Sequence, residues 1–133
     1  MTDQANMNEE QQNKWVRDQY QVATKYLAEK GLITDSVALE DSRYLVPLLA
    51  VWKLKLNDGT KAWVISGDLP TDHSSADVAP DARDALRHFS LKWQLQAENL
   101  HKAGNAEQNK FAELLISRAQ GLYRLYEDEK LWA

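Results

Sequence analysis

The chain has 133 residues, 27% of them charged, with a net charge of −4 and no cysteine. That length fits one domain with a core of its own, and the missing thiols exclude disulfides, thiolate nucleophiles and cysteine-ligated metal centres. The acidic balance argues against nucleic acid as a partner, and no apolar run approaches the roughly 20 residues of a membrane span, so a cytoplasmic protein is expected.

Residues 1–8 read as a disordered tail and 9–133 as a single domain. Asn8 is an N-cap type with Gln11 at its capping-box position. Val16, Tyr20, Ala23 and Leu27 then recur at helical spacing as far as Gly31, so a helix is expected over about 9–30. Residues 32–46 carry no clear period. Pro47 disfavours helix at Val46 and starts an extended segment.

The stretch LLAVWKLKLNDGTKAWVIS (48–66) predicts a β-hairpin. Its even positions from Leu48 to Leu56 are apolar and Lys53 and Lys55 alternate with them, the pattern of a half-buried strand. Asp58-Gly59 suits a two-residue turn. That turn sets Leu54 opposite Trp63 and Trp52 opposite Ile65, with all four on one buried face. Two strands leave two edges, so either residues 32–46 or a second copy of the chain is expected to cover one.

A second helix is expected from a cap at Asp77, with Pro80 in its first turn and the stripe Ala82, Leu86, Phe89, Trp93, Ala97 and Leu100. Gly104 ends it. Asn105, with Gln108 three residues on, caps a third helix carrying Phe111, Leu115 and Leu122. Leu86, Phe89 and Trp93 should pack on those three. Gly121, inside the third helix, is read as a close helix contact. The order predicts an α+β domain: N-terminal helix, antiparallel hairpin, then an αα-hairpin packed on one face of the small sheet.

RYLVPLLAVWKLK (43–55), WVISGDLPTDH (63–73) and ARDALRHFSLKWQLQAENL (82–100) resemble the signature blocks of an uncharacterised bacterial domain family of unknown function. The resemblance spans roughly residues 10–125. It implies a small, soluble bacterial protein, and carries over no reaction and no catalytic residue.

Candidate chemistry gathers in ISGDLPTDH (65–73). Asp68, Asp72 and His73 join carboxylates to an imidazole, the types used in acid–base work or for a divalent ion. Their spacing fits no metal-ligand motif, so no metal and no cofactor is expected. His88 and His101 are thirteen residues apart on one helix and point about 220° from each other. The bland reading makes the loop a rigid strand-to-helix connector, with Gly67 for the bend and Pro70 for stiffness. Arg83 and Arg87, four residues apart, can pair with its carboxylates or hold an anion. No catalytic motif is present, so the leading expectation is a non-enzymatic interaction or accessory module with a homodimer or a protein partner. The rivals are a small hydrolase or ligand-binding protein using the Asp68/Asp72/His73 loop, and an acidic partner of a basic protein.

Overall fold

The computed structural model describes residues 7–133; residues 1–6 of the expected tail lie outside the described residues. The chain divides after Val78 into two compact units. The first holds helix α1 (Glu9–Glu29), strands β1 (Thr34–Val37), β2 (Arg43–Leu45), β3 (Leu49–Leu56), β4 (Lys61–Gly67) and β5 (Asp72–Ser75), and a 3-10 turn at Ala76–Val78. The second holds α2 (Ala82–Ala103), α3 (Ala106–Glu127) and the short α4 (Glu129–Trp132). This is the expected α+β order of helix, antiparallel sheet and two helices packed together.

Asn8 caps α1 as its residue type requires. Its Oδ1 accepts from Gln11 N at 2.8 Å, and Gln11 Oε1 accepts from Asn8 N at 3.0 Å. The helix buries Ala23 and Leu27, flanked by Trp15, Val16, Tyr20 and Tyr26, in one cluster with Ala50, Trp52, Leu54, Leu56, Ala62 and Val64 of the sheet. Trp52 is at its centre, between the rings of Tyr20 and Tyr44 at 5.3 and 4.9 Å. Its indole N–H would be costly to bury unpaired. It donates to the buried Ser66 hydroxyl at 3.2 Å.

All strand pairs are antiparallel, in the order β1-β3-β4-β5, with β2 also on β3. The outer edge of β3 is thus covered from within residues 32–46, one of the two expected outcomes. It is covered in two pieces, β1 against Leu54–Leu56 and β2 against Leu49–Val51. Between them, Ser42 Oγ accepts from Lys53 N at 3.0 Å and donates to Ala38 O at 2.9 Å. A buried hydroxyl therefore stands where a strand would have offered a carbonyl.

The hairpin register corrects the expectation by one residue. Leu54 faces Ala62 and Trp52 faces Val64, while Trp63 pairs with Lys53 and Ile65 with Val51. The loop has three residues, Asn57, Asp58 and Gly59. Gly59 N donates to Leu56 O, Leu56 N donates to Thr60 O, and Gly59 sits at φ +91°. This is a type I turn closed by a left-handed glycine. Asp58 selects it: Oδ1 accepts from both Thr60 N and Thr60 Oγ1, and these bonds hold its carboxyl below the usual range. A one-residue slip turns every β4 side chain over. Trp52 and Leu54 therefore share the α1 face, whereas Trp63 and Ile65 are on the other. All four are buried, so the hairpin is not half-buried; Lys53 is half-covered, its ammonium 5.4 Å from the Trp63 ring.

In the helical unit α2 starts at Asp81, not Asp77. Asp81 Oδ1 accepts from Asp84 N at 2.8 Å, while Asp77 belongs to the 3-10 turn and accepts from the Ser75 hydroxyl. Asn105 caps α3 through Gln108 N as expected. Leu86, Phe89, Trp93, Leu115 and Leu122 are all buried. Phe111 is not: it remains 39% exposed, which removes it from the expected core. Small residues are buried on both helices (Ala85, Ala97, Ala112, Ala119), and the buried Ser90 hydroxyl of α2 donates to Ala119 O of α3 at 2.7 Å.

Gly121 is not a close contact either, because a Cβ built there meets nothing within 4 Å. The residue only costs α3 backbone entropy. Gly121→Ala should therefore stabilise the protein by about 0.5–1 kcal/mol in urea melts. A loss of stability would contradict the open space.

Candidate functional site

ISGDLPTDH joins two strands, so the expected strand-to-helix connector is instead the turn of a β-hairpin. Ile65–Gly67 end β4, residues 68–71 make the turn, and Asp72-His73 open β5. Gly67 carries the bend at φ +133°, pressed against Leu48 O and Leu49 Cα, and Asp68 N donates to Leu48 O at 2.9 Å. The Asp68 side chain is exposed.

Register decides where the imidazole goes. His73 pairs with Val64, which belongs to the α1 face, so His73 is carried toward the helix. There it meets Tyr26, whose hydroxyl is 2.9 Å from His73 Nδ1, with the rings edge-on at 5.4 Å. Asp72 pairs with Ile65 on the opposite face, but its carboxylate turns back. Oδ1 accepts from His73 N at 2.8 Å and is 3.5 Å from the Tyr26 hydroxyl. The Lys30 ammonium is 4.9 Å from the Tyr26 ring.

Two of the expected candidates, Asp72 and His73, are thus brought together, and Tyr26 joins them. Tyr26 only flanks the apolar stripe of α1 and is not among the site residues expected from sequence. No local signal pairs a helix residue with a strand 47 positions away. Arg83 belongs to the helical unit: its Nε donates to Tyr126 O at 2.8 Å and its guanidinium is 5.4 Å from the Tyr126 ring. Arg87 is exposed on α2. Among the described residues no three His, Cys, Asp or Glu side chains gather as a metal set.

Burial first, then the charge of Asp72 and the hydrogen bond to it, push the Tyr26 phenol up to about 12. A phenol held protonated so far above neutrality is a poor general base at pH 7. It is well suited to sharing protons with the imidazole and carboxylate beside it, and that ties α1 to β5. Its raised pKa has a pH consequence. The unfolded chain ionises Tyr26 near its ordinary value of 10, while the folded chain keeps the proton until about 12. Stability is therefore unaffected below 10 and falls as pH rises through that window. Urea midpoints measured across it should drop more steeply for the natural chain than for Tyr26→Phe; equal slopes would contradict the raised pKa.

The architecture is an α+β domain with a helix-backed antiparallel sheet and a helical hairpin, bearing a phenol–imidazole–carboxylate cluster on its edge strand. The chain belongs to the family described as Domain of unknown function (DUF4826), whose model matches residues 9–132. No curated protein and no solved structure matches it. Among the described residues no helix is long and apolar enough to cross a membrane.

Proposed function

We propose that the chain is a non-enzymatic interaction or accessory module of the bacterial cytoplasm, working through its helical hairpin. The observation that carries this reading is the exposure of large apolar side chains there: Leu91 and Leu95 on α2, Phe111 and Leu114 on α3. Single exposed leucines are ordinary, but several on two packed helices favour a contact surface. The acid–base cluster supports the same reading, since Tyr26, Asp72 and His73 bond to one another and hold a helix to a strand. The absence of cysteine fits a reducing compartment.

The test is photo-crosslinking in cells. A photoreactive side chain placed in turn at positions 91, 95, 111 and 114 should give a discrete protein adduct. The same group at Glu107, exposed at the start of α3, should give none. Absence of adducts at all four apolar positions would overturn the reading.

A second reading makes the Asp68/Asp72/His73 loop a ligand-binding or hydrolytic site. The placement of the Tyr26 phenol, with its raised pKa, beside Asp72 and His73 favours it, because perturbed titratable groups cluster at functional sites. A ligand-dependent rise in melting temperature that vanishes in His73→Ala would select it over the module.

A further inference from the structure

We infer that the outer face of α2 is an interface between two antiparallel copies of this chain. The inference rests on the interaction-module reading and names its partner. Asp84, His88, Leu91, Leu95, Glu98 and Lys102 follow one another at alternating steps of four and three residues. That is the spacing of the stripe along which one helix lies on another, here apolar at its centre and charged at its ends. It runs opposite the buried stripe of Leu86, Phe89, Trp93 and Ala97, since Leu91 and Leu95 are each two residues, about 200°, from Trp93. The seam faces solvent where it is apolar: Leu91 is 43% and Leu95 64% exposed.

The charges along this seam select the partner. Let a second α2 lie antiparallel, with the two-fold axis at the level of Trp93. Leu91 then meets Leu95 of the other copy, His88 meets Glu98, and Asp84 meets Lys102. Every opposition joins two apolar groups, an imidazole with a carboxylate, or an acid with a base. The contact is also self-complementary, as a two-fold interface must be. Competing arrangements fail on the same residues. A parallel pair sets Asp84, Glu98 and Lys102 each against its own copy, and like charges repel. An antiparallel pair slipped by one heptad sets leucine against lysine and glutamate, or against aspartate and histidine. The pattern therefore specifies one geometry and disfavours its neighbours.

Glu98 and Lys102 already form an exposed pair within the helix at 3.8 Å. Such surface pairs hold little energy and exchange partners readily. The paired segment is about 27 Å long and contributes two leucines per copy, less than a stable obligate interface needs. The expected assembly is a weak, concentration-dependent dimer.

Because the natural chain has no cysteine, disulfide trapping gives a clean geometric test. Leu91→Cys and Leu95→Cys are made separately in the full chain. Mixed in equal amounts and mildly oxidised, they should form a crosslinked dimer, whereas either variant alone should not. In sedimentation from about 10 µM to about 1 mM the natural chain should shift toward dimer. Lys102→Glu should weaken the dimer at least tenfold, and Asp84→Lys combined with Lys102→Glu should restore it. Circular dichroism confirms that each variant is folded. A natural chain that stays monomeric throughout the range overturns the inference, as does crosslinking that is equally strong in the single variants. Photo-adducts to a different protein on a monomeric chain would overturn it too, while leaving the interaction-module reading intact.

Discussion

Gly67→Ala is expected to destabilise the sheet unit by about 2–6 kcal/mol, read from urea melts. Two penalties add. The backbone is at φ +133°, a region that side-chain-bearing residues rarely enter, and holding alanine there costs about 1–3 kcal/mol. The new Cβ also lands 2.5 Å from Leu48 O and 2.6 Å from Leu49 Cα. Both are main-chain atoms, which cannot swing aside as a side chain can. Overpacking of this kind costs about 1–3 kcal/mol more. Relief requires the β2–β3 turn to move away from β4, and the bond from Asp68 N to Leu48 O opposes that. A loss below 1 kcal/mol would mean that the two strands are not in such close contact.

Phe89→Ala is the second large effect, a loss of about 3–5 kcal/mol. Phe89 is fully buried in α2, among a stripe that includes Leu86 and Trp93. Its ring centroid is 6.3 Å from that of Trp93, and the Lys92 ammonium is 5.8 Å from the Phe89 ring. Removing the ring takes away apolar burial and leaves a hole that alanine cannot close. A cost below 1 kcal/mol would place Phe89 outside the core. Phe111→Ala makes the control: at 39% exposure it should cost clearly less, although both residues are phenylalanines on helices.

Helices were legible because their signals are local. Asn8 and Asn105 cap through their side chains within three residues, and Gly104 ends α2 in the left-handed conformation that a residue without a side chain enters freely. α2 starts four residues beyond the expected cap because Asp77 and Asp81 are equally good caps by residue type. Only the path of the chain, with the 3-10 turn using Asp77, separates them. The hairpin existed where alternation put it, yet its register was not readable from Asp58-Gly59 alone. That pair suits both a two-residue and a three-residue loop, and the bonds that Thr60 donates to Asp58 decide between them. Strand β5 was illegible for a different reason. Asp-His-Ser-Ser has no apolar period and little strand preference, and pairing with β4 is what makes it a strand. Missing it turned a hairpin into a supposed connector. The same gap hid Tyr26, since only the pairing of His73 with Val64 aims the imidazole at α1.

The hydroxyl of Ser42 divides the cover of β3 into two short zippers, and this has a dynamic consequence. β1 and β2 are joined through the turn at 38–42, which clasps both the N–H and the C=O of Lys53, and each strand can open on its own side of that clasp. Amide exchange should therefore reveal two separate opening events along one side of β3, with the Lys53 N–H as the boundary between them. That amide is protected by a side chain, not by a neighbouring strand. Its protection should track the rotamer of one serine, while Trp52 and Leu54 on either side exchange only with deeper openings of the sheet.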